Sequence, residues 1–169
     1  MKGLLLAYIV LLFWAFPGIK VQDSKVSTIK LEQLEHRLAQ GGDTTFVVNF
    51  WATWCAPCVA ELPYFEQFND VYGQVSDGTS PAKVLLVSLD APKLLSRVND
   101  FIEARKLRNE VLLLDESNQQ YYIDQISTEW SGAIPATLFV NTKKGIRLFK
   151  EQEFDFETLE ANYLSIINK

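Results

Sequence analysis

Two cysteines, Cys55 and Cys58, are the residues of this 169-residue sequence with the most evident chemistry, and the sequence contains no others. They lie in the segment N-F-W-A-T-W-C-A-P-C-V-A-E-L-P, residues 49–63, with two residues between them. Two thiols at this spacing can bind a metal, form a structural disulfide or exchange electrons. The other residues must distinguish among these three uses.

A metal site and a structural disulfide both fit poorly. A structural zinc site needs four ligands, usually thiolates and imidazoles, and the chain adds one histidine, His36, to its two cysteines. His36 falls in a predicted helix and is expected to face solvent, so zinc binding would require two chains to share one ion. A disulfide stabilises mainly by closing a long loop, and this one would close a very short loop.

Thiol–disulfide exchange fits the surrounding residues better. The apolar run at residues 46–51 predicts a buried strand, and a helix is predicted to begin at the cysteines. The free N–H groups and positive end of that helix favour a thiolate at Cys55, and such surroundings can lower a thiol pKa from about 8.5. Cys58 follows about one turn later on the same side. We therefore expect Cys55 to attack a substrate disulfide and Cys58 to resolve the mixed disulfide. Pro57 fits the first turn, where its missing N–H costs nothing.

The elements that position the cysteines alternate between strands and helices. Apolar runs predict strands at residues 46–51, 84–89, 111–114, 136–140 and 146–149, after a short first strand near residue 28. Helical spacing of apolar residues is seen at 31–38, 62–71, 94–102, 119–126 and 159–167. This order predicts an α/β sandwich, with a central mixed sheet flanked by helices.

The first 20 residues differ from the remainder. Lys2 precedes residues 3–16, which carry no charge, and a Pro-Gly pair follows this run. This order is typical of an export signal. An uncleaved membrane helix is the first alternative, because the run is near the shortest that spans a bilayer, and a buried helix is the second. We predict an export signal or N-terminal membrane anchor at residues 1–20 and one domain at 21–169.

Composition excludes one class of partner. The formal net charge is −5, and no basic segment interrupts the chain. A nucleic-acid-binding domain normally presents a basic face, so no nucleic-acid partner is expected. The 48% of hydrophobic residues is enough for one ordinary core.

The cysteine segment resembles a known family. F-W-A-T-W-C-A-P-C is similar to the active-site segment of the thioredoxin family, and C-A-P-C-V-A-E-L-P resembles its membrane-associated, exported branch, typified by TlpA, ResA and the cytochrome c biogenesis thioredoxins. Ile134-Pro135-Ala136-Thr137 matches the cis-proline loop of the family. The chain also has room for the helix–strand–helix that this branch adds before that loop. The resemblance covers roughly residues 25–169 and implies a thioredoxin-like sandwich.

The resemblance implies a substrate site around the cysteines. Pro135 is expected to be cis, so that the backbone of Ile134 can pair with an extended substrate segment. Trp54 is expected to form a partly exposed wall beside Cys55. With Pro57, these residues would contact the substrate.

The resemblance also implies a proton-transfer residue. Glu61 matches the acidic residue that lies near the thiols in ResA-like proteins, and an exposed helix glutamate is the alternative. Plain thioredoxins have a buried aspartate where this sequence has Asn49. We therefore expect the proton route to pass through Glu61.

These inferences predict a thiol–disulfide oxidoreductase that reduces disulfides of exported proteins through Cys55 and Cys58. The resemblance implies an extracytoplasmic (periplasmic) location, secreted across or anchored in the inner membrane. It also implies a membrane dithiol electron donor of the DsbD or CcdA kind, and a role in cytochrome c maturation. No cofactor or metal is expected. The alternatives are a non-catalytic module that binds extended peptides along Pro135, and a thiol peroxidase, although W-C-A-P-C is a dithiol exchange motif.

Overall fold

The strands form one sheet between two layers of helices in the computed structural model, which describes residues 26–74 and 81–168. The predicted segment at residues 1–20 lies outside the described residues. The elements are β1 (Ser27–Ile29), α1 (Leu31–Ala39), β2 (Thr45–Trp51), α2 (Ala56–Tyr72), β3 (Ala82–Ser88), α3 (Leu95–Arg105), β4 (Glu110–Leu114), α4 (Gln119–Ile126), β5 (Ala136–Asn141), β6 (Ile146–Lys150) and α5 (Phe156–Ile167). A single 3₁₀ turn, Pro92–Leu94, precedes α3.

The sheet has six strands in the order β1-β4-β3-β2-β5-β6. The first four are parallel to one another, whereas β5 runs antiparallel to both β2 and β6. The predicted mixed sheet and α/β sandwich are therefore confirmed. In the two described ranges, we find no helix with both the length and the apolar character that crossing a membrane requires.

Each central strand contributes side chains to both helical layers, because successive residues of a strand point to opposite faces. In β2, Val47 packs with α2, α3 and α5, whereas Phe46 and Val48 pack with α1 and α4. All seven residues of β2 are buried. This explains why the central strands read as continuous apolar runs rather than alternating ones.

The segment between β3 and β5 contains α3, β4 and α4, so the predicted helix–strand–helix before the proline loop is confirmed. The strands predicted at residues 136–140 and 146–149 are β5 and β6, which pair antiparallel across a hairpin turn. Gly145 has a φ of 63° in this turn, a backbone conformation that glycine adopts without a steric penalty.

The sheet brings three distant segments to one edge. In the strand register, Trp51 pairs with Ser88 at the carboxyl ends of β2 and β3. Phe50 pairs with Ala136 at the start of β5, because β5 is antiparallel to β2. The segments that follow Trp51, follow Ser88 and precede Ala136 therefore meet, and the cysteines lie in the first of them.

Candidate active site

The cysteine pair lies where β2 gives way to α2. Cys55 is the N-cap residue of α2, and its Sγ accepts a hydrogen bond of 3.3 Å from the backbone N–H of Cys58. The two sulfurs form a disulfide, so the structure represents the oxidised state. The first turn of α2 lies entirely within the described residues. It contains no acidic residue that would offset the positive charge of the helix N-terminus. This end of the helix can therefore stabilise a thiolate at Cys55.

The two sulfur-bearing residues differ in exposure. Cys55 is 6% exposed and Cys58 is fully buried. Only the first can be reached by an external disulfide without opening the helix. The geometry therefore agrees with attack by Cys55 and resolution by Cys58.

Two neighbours border the disulfide along the chain. Pro57 is the second residue of α2, is partly exposed, and has no N–H that the helix would leave unpaired. Trp54, directly before Cys55, is 62% exposed. In contrast, Trp51 is fully buried and packs its ring 5.3 Å from that of Phe101. Trp54 is therefore the tryptophan available to a partner.

The proline loop approaches the disulfide from the far part of the chain. The Ile134–Pro135 peptide bond is cis, as the resemblance implied. The carbonyl oxygen of Ile134 lies 3.7 Å from Cys55 Sγ, although 79 residues separate them. Ile134 is partly exposed and Pro135 is buried. The structure thus places the predicted peptide-pairing segment against the reactive sulfur.

Glu61 is buried, so the alternative of an exposed helix glutamate is wrong. Glu61 lies one helical turn beyond Cys58 and is only 2% exposed. Oε1 accepts a 2.7 Å hydrogen bond from Asn49 Nδ2, and Oε2 accepts one of 2.8 Å from the backbone N–H of Phe154. Burial raises the pKa of Glu61 from 4.5 to about 7; the two hydrogen bonds oppose this shift and Glu153 adds to it. The carboxyl can therefore release or accept a proton near neutral pH.

The turn before Cys55 is held by a buried carboxyl group that sequence reasoning missed. Asp90, which is 1% exposed, follows β3. The side-chain oxygens of Asp90 accept hydrogen bonds from the N–H of Thr53 at 2.9 Å and from the Thr53 hydroxyl at 2.7 Å. Ser88 Oγ donates a third at 2.9 Å. In the sequence, an acidic residue shortly after the apolar run of β3 indicates a polar side chain at the carboxyl end of that strand. It does not indicate that this side chain binds Thr53.

The proline loop is held in a similar way. The backbone N–H and the hydroxyl of Ser131 donate to the two carboxylate oxygens of Glu151, at 2.7 Å and 2.6 Å. Trp130 Nε1 donates to the carbonyl of Ala133 at 2.7 Å. These bonds fix the backbone just before Ile134. Neither Ser131 nor Glu151 was predicted to support the site.

Within residues 26–74 and 81–168, no group of three or more His, Cys, Asp or Glu side chains could hold a metal ion. His36 is exposed on α1, where a ring nitrogen lies 3.3 Å from Gln40 Nε2. The histidine is therefore placed as the sequence predicted, on the solvent side of its helix.

The chain is similar to one known protein family and to curated thiol-disulfide oxidoreductases. The model of the AhpC/TSA family matches residues 9–149. Sporulation thiol-disulfide oxidoreductase A of Bacillus subtilis (strain 168) is 33% identical over an alignment of 143 residues, which covers 76% of this chain and 82% of that protein. Thiol-disulfide oxidoreductase ResA of Oceanobacillus iheyensis is 30% identical over 141 residues, or 83% of this chain and 62% of that protein.

Solved structures show the same fold. The crystal structure of StoA from Bacillus subtilis has a TM-score of 0.54 and 26% identity, with 71% of this chain and 82% of that chain covered. The thioredoxin-related protein from Neisseria meningitidis serogroup B has a TM-score of 0.62 at 20% identity, covering 74% and 86%. The second likeness concerns the fold alone.

Proposed function

The chain belongs to the AhpC/TSA family and is a thiol–disulfide oxidoreductase of the ResA and StoA type, and from this premise we propose that it reduces disulfides of proteins outside the cytoplasm. The observation that carries the proposal is the Cys55–Cys58 disulfide at the start of α2, with Cys55 Sγ 3.7 Å from the carbonyl of Ile134. An extended peptide that pairs with Ile134 would bring its own disulfide to Cys55.

The first step is attack by the Cys55 thiolate on one sulfur of the substrate disulfide. A bond forms between Cys55 Sγ and that sulfur, and the second substrate sulfur leaves as a thiolate, which takes up a proton. Cys55 is the attacking residue because it is the more exposed of the two and because the N-terminus of α2 stabilises its negative charge.

The second step is attack by Cys58 on Cys55 Sγ. The Cys58 thiol must first lose its proton, and Glu61 accepts it, because this buried carboxyl lies one turn away and has a pKa of about 7. The Cys55–Cys58 disulfide forms and the first substrate sulfur leaves as a thiolate. Two electrons have then passed to the substrate, and the enzyme is in the state that the structure describes.

A second dithiol must reduce the enzyme for a further cycle. We propose a membrane dithiol protein of the DsbD or CcdA kind as this donor, with residues 1–20 as the export signal or anchor that places the domain beside it. Reduced C-x-x-C pairs are needed for haem attachment, so cytochrome c maturation is the client process that we propose first. The sequence resemblance supports each of these assignments.

The reduction potential of the Cys55–Cys58 pair tests the direction of transfer. The purified domain is equilibrated with glutathione buffers and the fraction of disulfide is measured. A value near that of thioredoxin, about −270 mV, would agree with a reductase, whereas a value near −120 mV would make the protein an oxidant.

Catalysis itself is tested by insulin reduction with a supplied dithiol. Wild-type protein should accelerate the reaction and Cys55→Ser should not. A cellular role that survives Cys55→Ser would favour the non-catalytic peptide-binding module. Turnover of hydrogen peroxide at a rate above that of insulin reduction would favour the peroxidase.

A further inference from the structure

The residues that lead into the cis proline lie outside the sheet. Ser131 and Ala133 are exposed, Ile134 is partly exposed, and none of the three belongs to a helix or strand. Pairing with β2 begins only at Ala136. The position of Ile134 relative to Cys55 therefore depends on side chains that bind this loop, rather than on strand pairing.

Glu151 binds the loop through both of its carboxylate oxygens. Oε2 accepts from the backbone N–H of Ser131 at 2.7 Å, and Oε1 accepts from the Ser131 hydroxyl at 2.6 Å. The same hydroxyl oxygen accepts from the N–H of Ala133 at 3.3 Å. One carboxylate thus fixes Ser131 and, through its hydroxyl, the residue directly before Ile134.

Trp130 fixes the other side of Ala133. The indole Nε1 donates to the carbonyl of Ala133 at 2.7 Å. Trp130 is buried, and its ring centroid lies 5.6 Å from that of Phe149 in β6. The core therefore anchors the carbonyl of Ala133, whereas the N–H of the same residue is held from the surface by Ser131 and Glu151.

The segment that carries Glu151 is itself anchored at both ends. Lys150, directly before it, pairs with Thr137 at the end of β6. Phe154, three residues after it, is buried and donates its backbone N–H to Glu61. Because its backbone is held on both sides, Glu151 can determine where the loop lies instead of following the loop.

We propose that Glu151 is a positioning residue for the substrate: acting through Ser131, it holds the backbone of Ile134 ready to pair with an extended peptide beside Cys55. A loop that already has its bound conformation avoids the ordering cost that binding would otherwise include. The inference rests on the proposed function, because it concerns how protein disulfides bind, and it assigns Glu151 to the affinity for a peptide backbone.

The test compares two symmetrical disulfides in single-turnover reactions of the reduced protein, followed by stopped flow. One is the disulfide-linked dimer of a linear alanine and serine peptide with a central cysteine, and the other is hydroxyethyl disulfide, which has no peptide backbone. Each takes two electrons from the Cys55–Cys58 dithiol and is released as two thiols, so no further electron donor is needed.

Glu151→Ala should weaken the use of the peptide selectively. Two hydrogen bonds to the loop are lost, so we expect the half-saturating peptide concentration to rise about 5- to 10-fold, with a limiting rate that changes far less. The preference for the peptide over hydroxyethyl disulfide should fall by a similar factor. An equal loss with both disulfides, or a lower limiting rate at unchanged half-saturation, would overturn the proposal.

Glu151→Gln should restore most of the affinity. Its amide oxygen can accept from the Ser131 N–H, and its NH₂ group can donate to the Ser131 hydroxyl oxygen. Ser131→Ala should reproduce part of the rise, and the double variant with Glu151→Ala should show less than the sum of the two effects. Independent effects would contradict action through Ser131.

Glu129→Ala is the matched control, because it removes the same charge from an exposed position two residues before Ser131. It should leave the half-saturating peptide concentration unchanged; a rise equal to that of Glu151→Ala would assign the effect to charge alone. Urea unfolding verifies that each variant is folded. Wild-type protein that reduces neither disulfide would overturn the proposed function, whereas wild-type reduction with an unaltered Glu151→Ala variant would overturn only this inference.

Discussion

The sulfur atoms of Cys55 and Cys58 are equivalent in their covalent bonds and differ only in their surroundings. Cys55 caps α2 and is the more exposed, whereas Cys58 is fully buried within the first turn. Accessibility thus selects the attacking sulfur, and burial keeps the second sulfur for the internal reaction. The proton that Cys58 must lose has a nearby acceptor in Glu61, whose pKa is about 7.

Cys58→Ser should trap substrates on Cys55. Without the second thiol, the mixed disulfide has no internal nucleophile to release it. We expect covalent adducts on Cys55 after exposure to substrate proteins, detected by non-reducing electrophoresis and mass spectrometry. Adducts on Cys58 in the Cys55→Ser variant, with none in Cys58→Ser, would reverse the assigned roles.

Glu61→Gln should change the pH dependence of thiol chemistry while keeping the size of the side chain. Positioned proton acceptors typically contribute about 10²-fold or more, so we expect insulin reduction at pH 7 to fall by roughly 10²-fold. The inflection near pH 7 in the rate of thiol alkylation should also disappear. Glu157→Gln, at an exposed position of α5, is the control; an alkylation profile identical to wild type in Glu61→Gln would remove Glu61 from the reaction.

At the scale of elements, the turn between β2 and α2 is fixed by the end of β3. Asp90 accepts three hydrogen bonds from Thr53 and Ser88, and the N–H of Leu89 donates to the carbonyl of Trp51 at 2.8 Å. The end of β3 and the two residues that follow it therefore hold the backbone that precedes Cys55. The proline loop is fixed separately through Ser131 and Glu151.

Asp90→Ala should destabilise the protein and impair catalysis together. Three donors lose their acceptor at a buried site, and we expect the free energy of unfolding to fall by roughly 2–4 kcal/mol. Asp90→Asn retains one acceptor oxygen, so its free energy of unfolding should fall by about half as much as that of Asp90→Ala. Urea unfolding measures stability and insulin reduction measures rate; Asp90→Ala with wild-type values of both would show that the turn does not depend on these bonds.

At the scale of the whole molecule, the buried carboxyl of Glu61 makes stability depend on pH. Its pKa is 4.5 in the unfolded chain and about 7 in the fold, so the folded state binds more protons between these values. The contribution to stability is therefore complete below pH 4.5 and decreases as the pH rises to about 7. Above that pH it no longer changes.

The difference in unfolding free energy between wild type and Glu61→Gln isolates this contribution. It should shift against the wild type by on the order of 3 kcal/mol between pH 4.5 and pH 7.5. Urea unfolding of the oxidised proteins across this range measures it. A difference that is independent of pH would mean that Glu61 has an ordinary pKa in the fold.

The spacing of residues along the sequence predicts part of the site. Helical spacing places Glu61 near Cys58, Leu62 and Phe65, but the sequence left open whether this glutamate is exposed, and only the structure shows it buried. The partners of Glu61 could not be predicted either, because Asn49 and the Phe154 N–H lie 12 and 93 residues away. Partners at such separations depend on strand order and register, which local periodicity does not encode.

The sequence by itself determined the reactive pair, the order of strands and helices, and the position of Cys55 at a helix start, because these follow from residue spacing over a few turns. Only the tertiary structure decided that the carbonyl of Ile134 lies against Cys55 and that Asp90 holds Thr53. The physical reasons are the antiparallel pairing of β5 with β2, which brings Ile134 to Cys55, and the parallel pairing of β3 with β2, which brings Asp90 to Thr53. Pairing across the sheet brings residues together that no local interaction along the chain connects.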